Sequence, residues 1–162
     1  MIREGSVGAN GTQNNVSCPD PNRWLGVVFG MTARGTTGLG SSIDSANALE
    51  VYPLWDYFRE HELEDATLSG WWDDVPAVTV GGADSVKATA FIQRDNRSGV
   101  IAVGNFGNTS ATVTLSGALI AGKTLIAGFI EAFQPAMSFA SGAEIQVTAK
   151  RGWLLNFKPD AA

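Results

Sequence analysis

Val86-Lys87-Ala88-Thr89-Ala90-Phe91-Ile92-Gln93, then Asp95-Asn96-Arg97-Ser98-Gly99, then Val100-Ile101-Ala102-Val103-Gly104-Asn105-Phe106 is the stretch that decides the fold. Two β-prone runs flank a cluster of turn residues, which is the pattern of an antiparallel hairpin. A second turn, Gly107-Asn108-Thr109-Ser110, leads into a third strand from Ala111 to Ser116. Three more strands are expected downstream, at Thr124 to Phe133, Ala143 to Ala149 and Gly152 to Phe157, broken by Gln134-Pro135 and by Lys150-Arg151. Consecutive strands without intervening helices predict a mainly β chain, an antiparallel β-sandwich of about 6–8 strands.

Upstream the pattern changes. Residues 1–23 are rich in Gly, Asn, Ser and Thr and read as loop. Trp24-Leu25-Gly26-Val27-Val28-Phe29-Gly30-Met31 is a near-continuous apolar run that fits a strand buried on both faces or a buried helix, and periodicity does not choose between them. A helix is expected from about Tyr52 to Glu62, with Pro53 in its first turn and Leu54, Trp55, Phe58 and Leu63 on one face. Its other face is charged, with i,i+3 pairs Asp56–Arg59 and Arg59–Glu62. Two units follow from this contrast: a loop-rich segment with the apolar run and the helix over 1–65, and a sandwich over 66–162 that is expected to fold alone.

The 162 residues are enough for one domain; 44% are hydrophobic, 17% charged, and 19 are glycines, a balance suited to strands and tight turns. A net charge of −5 argues against nucleic acid, whose binders concentrate Lys and Arg. The amino terminus lacks the apolar run of a signal peptide, and later apolar stretches are interrupted, so a soluble chain without its own export signal or membrane span is expected. Cys18 is the only cysteine and leaves the compartment open; His61 is the only histidine, which excludes a multi-histidine metal site. Gly38-Leu39-Gly40 and Gly81-Gly82 lack the strand-to-helix setting of a phosphate loop and read as turns, so no cofactor is expected. Asp95 and Asn96 are explained by turn chemistry before calcium, and Asn108-Thr109-Ser110 is a glycosylation acceptor only in a secretory host.

One further stretch stands out: Ser69-Gly70-Trp71-Trp72-Asp73-Asp74, two adjacent indoles followed by two adjacent carboxylates. If the alternation from Ala66 runs through it, Leu68, Gly70 and Trp72 face one way and Ser69, Trp71 and Asp73 the other. Trp72 is then assigned to packing and Trp71 to the surface. Trp153 shares a parity with Leu155 and Phe157 and is expected in the core.

Leu54-Trp55-Asp56-Tyr57-Phe58, Gly70-Trp71-Trp72-Asp73, Ile101-Ala102-Val103-Gly104-Asn105-Phe106 and Gly152-Trp153-Leu154-Leu155-Asn156-Phe157 together resemble the carboxy-terminal end of bacterial glycoside-hydrolase-like proteins, those similar to the β-N-acetylgalactosaminidase family. The resemblance covers about residues 24–157 and implies a (β/α)-barrel followed by a β-sandwich, with a catalytic barrel as partner. No segment matches the family's catalytic acid motif, and only the tail of a barrel fits into 1–65. The resemblance therefore carries architecture and not activity, and it leaves the parent protein's compartment, secreted or periplasmic included, open.

Three readings stand side by side. In the first, the chain is a non-catalytic accessory sandwich, structural or weakly carbohydrate-binding, with Trp71 stacking on a sugar and Asp73 and Asp74 accepting hydroxyl bonds. In the second it is a small glycosidase pairing Asp73 with Asp74, Asp56 or Glu64, which needs carboxyl groups about 5–10 Å apart across a cleft. Neighbouring strand residues point to opposite faces, so Asp73 with Asp74 makes a poor dyad. In the third it is a packing or oligomerisation module.

Overall fold

The computed structural model describes residues 25–30, 45–130 and 133–159, the side chains of 45–51 excepted. Cys18 and Gly38-Leu39-Gly40 lie outside these. Among the described residues helix α1 spans Ser45–Glu60, a 3-10 turn follows at Leu63–Asp65, and nine strands complete the fold. They are β1 Thr67–Ser69, β2 Thr79–Gly81, β3 Val86–Ile92, β4 Gly99–Asn105, β5 Ala111–Ser116, β6 Thr124–Ala127, β7 Met137–Ala140, β8 Glu144–Val147 and β9 Gly152–Phe157. Every pairing is antiparallel: one sheet runs β1-β3-β4-β9-β6-β7, the other β2-β5-β8. The expected antiparallel β-sandwich is present.

Differences from expectation are local. β2 and β7 were not foreseen: each is a short edge piece, and the first ends on Gly81, which as sequence looks like a turn. β6 stops at Ala127, and the chain returns to the ladder through a single bridge, Ile130 to Gln134. Gln134 continues the sheet with its side chain instead, since its amide donates to Leu154 O and Gly128 O and accepts from Leu154 N. Pro53 sits within α1 and not in its first turn, where a missing N–H costs an interior helix bond.

The two sheets enclose one apolar layer. Val86, Ala88, Ala90, Ile101, Val103, Leu125, Leu155 and Phe157 from the larger sheet meet Val113, Leu115, Ile145 and Val147 from the smaller, with Val78 just before β2. β5, β6 and β8 alternate between buried and accessible residues, as strands with one wet face do. Trp153 packs at the margin of this layer against Phe139, and its indole N–H donates to Gln146 O on the smaller sheet. Asn105, fully buried, also ties the layers: its amide donates to Thr109 O and Val147 O and accepts from Gly107 N.

β4 does not alternate, because every one of its residues is buried. Its outer face, with Phe91 of β3 and Leu154 of β9, carries a second apolar layer formed with Leu54, Tyr57 and Phe58 of α1, with Leu63, and with Val27 and Val28. The apolar run near residue 25 is thus helical: residues 25–27 make one turn, closed by Phe29 N to Gly26 O and Gly30 N to Val27 O. Trp55, expected on the buried face of α1, is 39% exposed, and Tyr57 takes that place. Burial, together with the nearby Glu60 charge, pushes the Tyr57 hydroxyl well above the usual phenol range.

Candidate functional site

β1 ends at Ser69, and the strand alternation ends with it. The next residues form a turn held by one carboxylate: Gly70 N donates to Asp73 Oδ2 at 2.9 Å, Ser69 Oγ donates to the same oxygen at 3.3 Å, and Asp73 N donates to Gly70 O at 3.0 Å. Ser69 Oγ accepts in turn from Ala77 N at 2.9 Å, pinning the far end of the loop. Asp and Ser close turns in this way because their short side chains reach backbone amides a few residues off.

The turn reverses the expected roles of the indoles. Trp71 packs against the outer apolar layer, with its Nε1 buried and without a hydrogen-bond partner, whereas Trp72 is 47% exposed. The parity argument fails because it requires an extended chain through Gly70, and the chain turns there. Gly70 lets the Trp72 ring lie where it does, since a methyl group on it would stand 2.4 Å from Trp72 Cε2 and the ring would have to shift.

Around these two rings lies an aromatic cluster. Phe29 stacks nearly parallel to Trp72, with centroids 5.9 Å apart and planes at 9°, and meets Trp71 edge to face at 6.0 Å and Phe106 at 5.7 Å. Trp71 and Trp72 are themselves edge to face at 5.8 Å. Lys87 Nζ sits 5.1 Å above the Trp71 ring, so a cation already occupies one face of that indole. A shallow hollow of about 170 Å³ opens beside Trp71, lined also by Val78, Val86, Lys87 and Asp84.

The carboxylates considered for catalysis are spread over different elements. Asp56 is ion-paired with Arg59 at 2.6 Å on the exposed side of α1, and Glu64 lies in the 3-10 turn. Asp73 holds its own turn, while Asp74 beside it is exposed. No group of three or more His, Cys, Asp or Glu side chains that could hold a metal ion occurs among the described residues. Asp95 is a turn residue in the β3–β4 hairpin: its carboxylate accepts from Ser98 Oγ at 2.6 Å, Arg97 N at 2.8 Å and Ser98 N at 2.9 Å. These bonds, the Ser98 hydroxyl foremost, hold its pKa down at about 2. His61 is stacked on Tyr57 at 4.0 Å, with Nδ1 donating to Tyr57 O, and its own carbonyl accepts from Gln93 Nε2. No described helix is long and apolar enough to cross a membrane.

Sequence reasoning missed Phe29, Phe106 and Lys87 as companions of the tryptophans, since each comes from a different element. The turn itself had a readable signal: Ser69 and Asp73 bracket Gly70, a spacing at which both side chains can bond the backbone.

No curated protein matches the sequence. Among solved structures there is a remote likeness to the apo exo-carrageenase GH42 from Bacteroides ovatus, with 13% identity and a TM-score of 0.37 over 69% of this chain. The aligned part spans 14% of that enzyme's chain, and a likeness at this level carries no argument. A family model does match, over residues 50–158, from within α1 to just beyond β9: glycoside hydrolase 123, C-terminal domain. This chain belongs to the glycoside hydrolase 123 C-terminal domain family.

Proposed function

We propose that this chain is a non-catalytic accessory sandwich of a glycoside hydrolase, acting as a packing partner of a catalytic domain. The observation that carries this reading is the family match, which takes in the sandwich and most of α1 as a C-terminal domain. Two of the four candidate carboxylates support it by being engaged in local structure, Asp56 with Arg59 and Asp73 with its turn. The resemblance to β-N-acetylgalactosaminidases names aryl N-acetylhexosaminides as the first substrates to try. The chain alone should give no turnover of these or other aryl glycosides. Turnover that disappears in Asp73→Asn or Asp74→Asn would replace this reading with the enzymatic one.

A second reading is favoured by the exposure of Trp72: weak carbohydrate contact at the same turn. Of the residues first considered, Trp71 is packed and Asp73 is engaged, which leaves Asp74, with Trp72 in place of Trp71, to meet a sugar ring and its hydroxyls. Calorimetric titration with N-acetylgalactosamine and its oligosaccharides tests this. Heat that vanishes in Trp72→Ala supports contact, and no heat in the parent chain removes it.

A further inference from the structure

The family unit begins at residue 50, yet part of this domain's apolar packing comes from upstream of it. Leu25, Val27 and Val28 are at most 4% exposed, and they lie on the outer face of the larger sheet. The Val28 carbonyl accepts from the hydroxyl of Thr89, which is itself fully buried in β3. β4 carries a glycine where this segment comes closest: a methyl group on Gly104 would stand 2.8 Å from Val28 Cγ2 and 3.0 Å from Leu25 Cδ2. An upstream piece of chain is therefore seated in a place shaped for it.

From the end of that segment the apolar surface continues outward. Phe29 stacks on Trp72, and Leu68 lies over Gly30, where an added methyl would stand 2.9 Å from Leu68 Cδ2. Trp72 and Leu68 are 47% and 39% exposed. The exposed Asp73 and Asp74 follow Trp72 directly in the chain, so charge adjoins this apolar pair, as at the rim of a protein contact.

We propose that the rim formed by Leu68 and Trp72 is the docking surface for the catalytic domain of a glycoside hydrolase 123 protein, with residues 25–30 as the inner end of that interface. The proposal rests on the accessory-domain reading. It selects the catalytic domain over a second copy of this chain because the segment already seated there comes from the side of the chain on which the rest of a protein precedes a C-terminal domain. It selects a protein over a sugar because Trp72 already shares its stacking with Phe29, and Trp71 has Lys87 on one face.

The test mixes the 162-residue chain with the catalytic domain of a glycoside hydrolase 123 protein produced without its own C-terminal domain, and follows association by calorimetry and sedimentation. A complex is expected, weakened by at least about tenfold when Leu68→Ser and Trp72→Ser are combined. Thr112→Ala with Gln146→Ala, an exposed cross-strand pair on the outward face of the smaller sheet, should leave the affinity unchanged. Unfolding midpoints of both variants establish that each is folded. Absence of a complex with the parent chain, equal loss in the two variants, or self-association of the chain that the Leu68 and Trp72 changes abolish would each overturn the docking assignment. Glycoside turnover by the chain alone would instead overturn the accessory-domain reading on which it rests.

Discussion

Replacing Gly104 by alanine should destabilise the chain, and the sign of the change is what informs. Gly104 lies inside β4, with φ outside the left-handed region, so alanine is compatible with its backbone. Removing a strand glycine gains about 0.5–1 kcal/mol from reduced freedom of the unfolded chain. Against this, the new methyl would stand 2.8 Å from Val28 Cγ2 and 3.0 Å from Leu25 Cδ2, inside ordinary contact distance. Both neighbours are held in place, since Val28 is fully buried and its carbonyl is bonded by Thr89. Overpacking of a filled core costs about 1–3 kcal/mol, which exceeds the gain and leaves a net loss of about 1 kcal/mol. Urea unfolding followed by tryptophan fluorescence reads this as a lower midpoint at unchanged slope. In a Val28→Ala background the nearest obstructing atom is gone, so the same Gly104→Ala change should become neutral or stabilising. A higher midpoint for Gly104→Ala in the otherwise unchanged chain would show that residues 25–30 do not press on β4, and would refute the reasoning.

Other outcomes follow from the same contacts. Trp71→Ala should cost about 3 kcal/mol, at the low end for a core indole, and Trp72→Ala about 1 kcal/mol, the scale of a single aromatic pair; equal losses by thermal unfolding would contradict the packing described. Asp95 has a folded pKa of about 2 against an ordinary 3.8, so its contribution is fully present above pH 3.8 and is lost as pH falls from there through about 2. Asp95→Asn should therefore flatten the acid limb of the stability curve in that window, and an unchanged limb would show that the Ser98 bonds contribute nothing.

The sequence revealed the longer strands that turn clusters bound, and it obscured the segments whose conformation is decided at a distance. β5 and β9 match their observed limits, and β3 and β4 do so to within a residue, because clusters of turn residues bound these β-prone runs. β2 is three residues long and ends on Gly81; only its register against β5, Val80 opposite Leu115, makes it a strand. β7 likewise exists through its pairing with β6. The run around residue 25 was ambiguous because a short element buried against a sheet has no solvent-facing side to impose a period. At the tryptophan pair the error was assuming that alternation persists beyond Ser69, when hydrogen bonds to the Asp73 carboxylate end it at Gly70. The partners Phe29, Phe106 and Lys87 converge only through sheet pairing and the seating of the upstream segment, which local spacing does not encode.

Whether the outer face needs its cover is decided most directly by heating a chain that lacks residues 1–65. Such a chain keeps all nine strands but uncovers Phe91, Val100, Ala102 and Leu154, all now at most 4% exposed. It also loses Leu54, Tyr57, Phe58, Leu63, Val27 and Val28, each fully buried apolar side chain contributing about 1.5–3 kcal/mol at most. Without them that apolar face lies open to water in a domain whose net stability is ordinarily only about 5–15 kcal/mol. Calorimetry should show no cooperative transition in the shortened chain and a single one in the full chain, the reverse of the expectation from sequence that 66–162 folds alone, because the outer apolar layer is shared between the two parts. A cooperative transition at an unchanged temperature in the shortened chain would contradict this, and would establish the strands from residue 66 onward as a domain that stands without its helix and upstream segment.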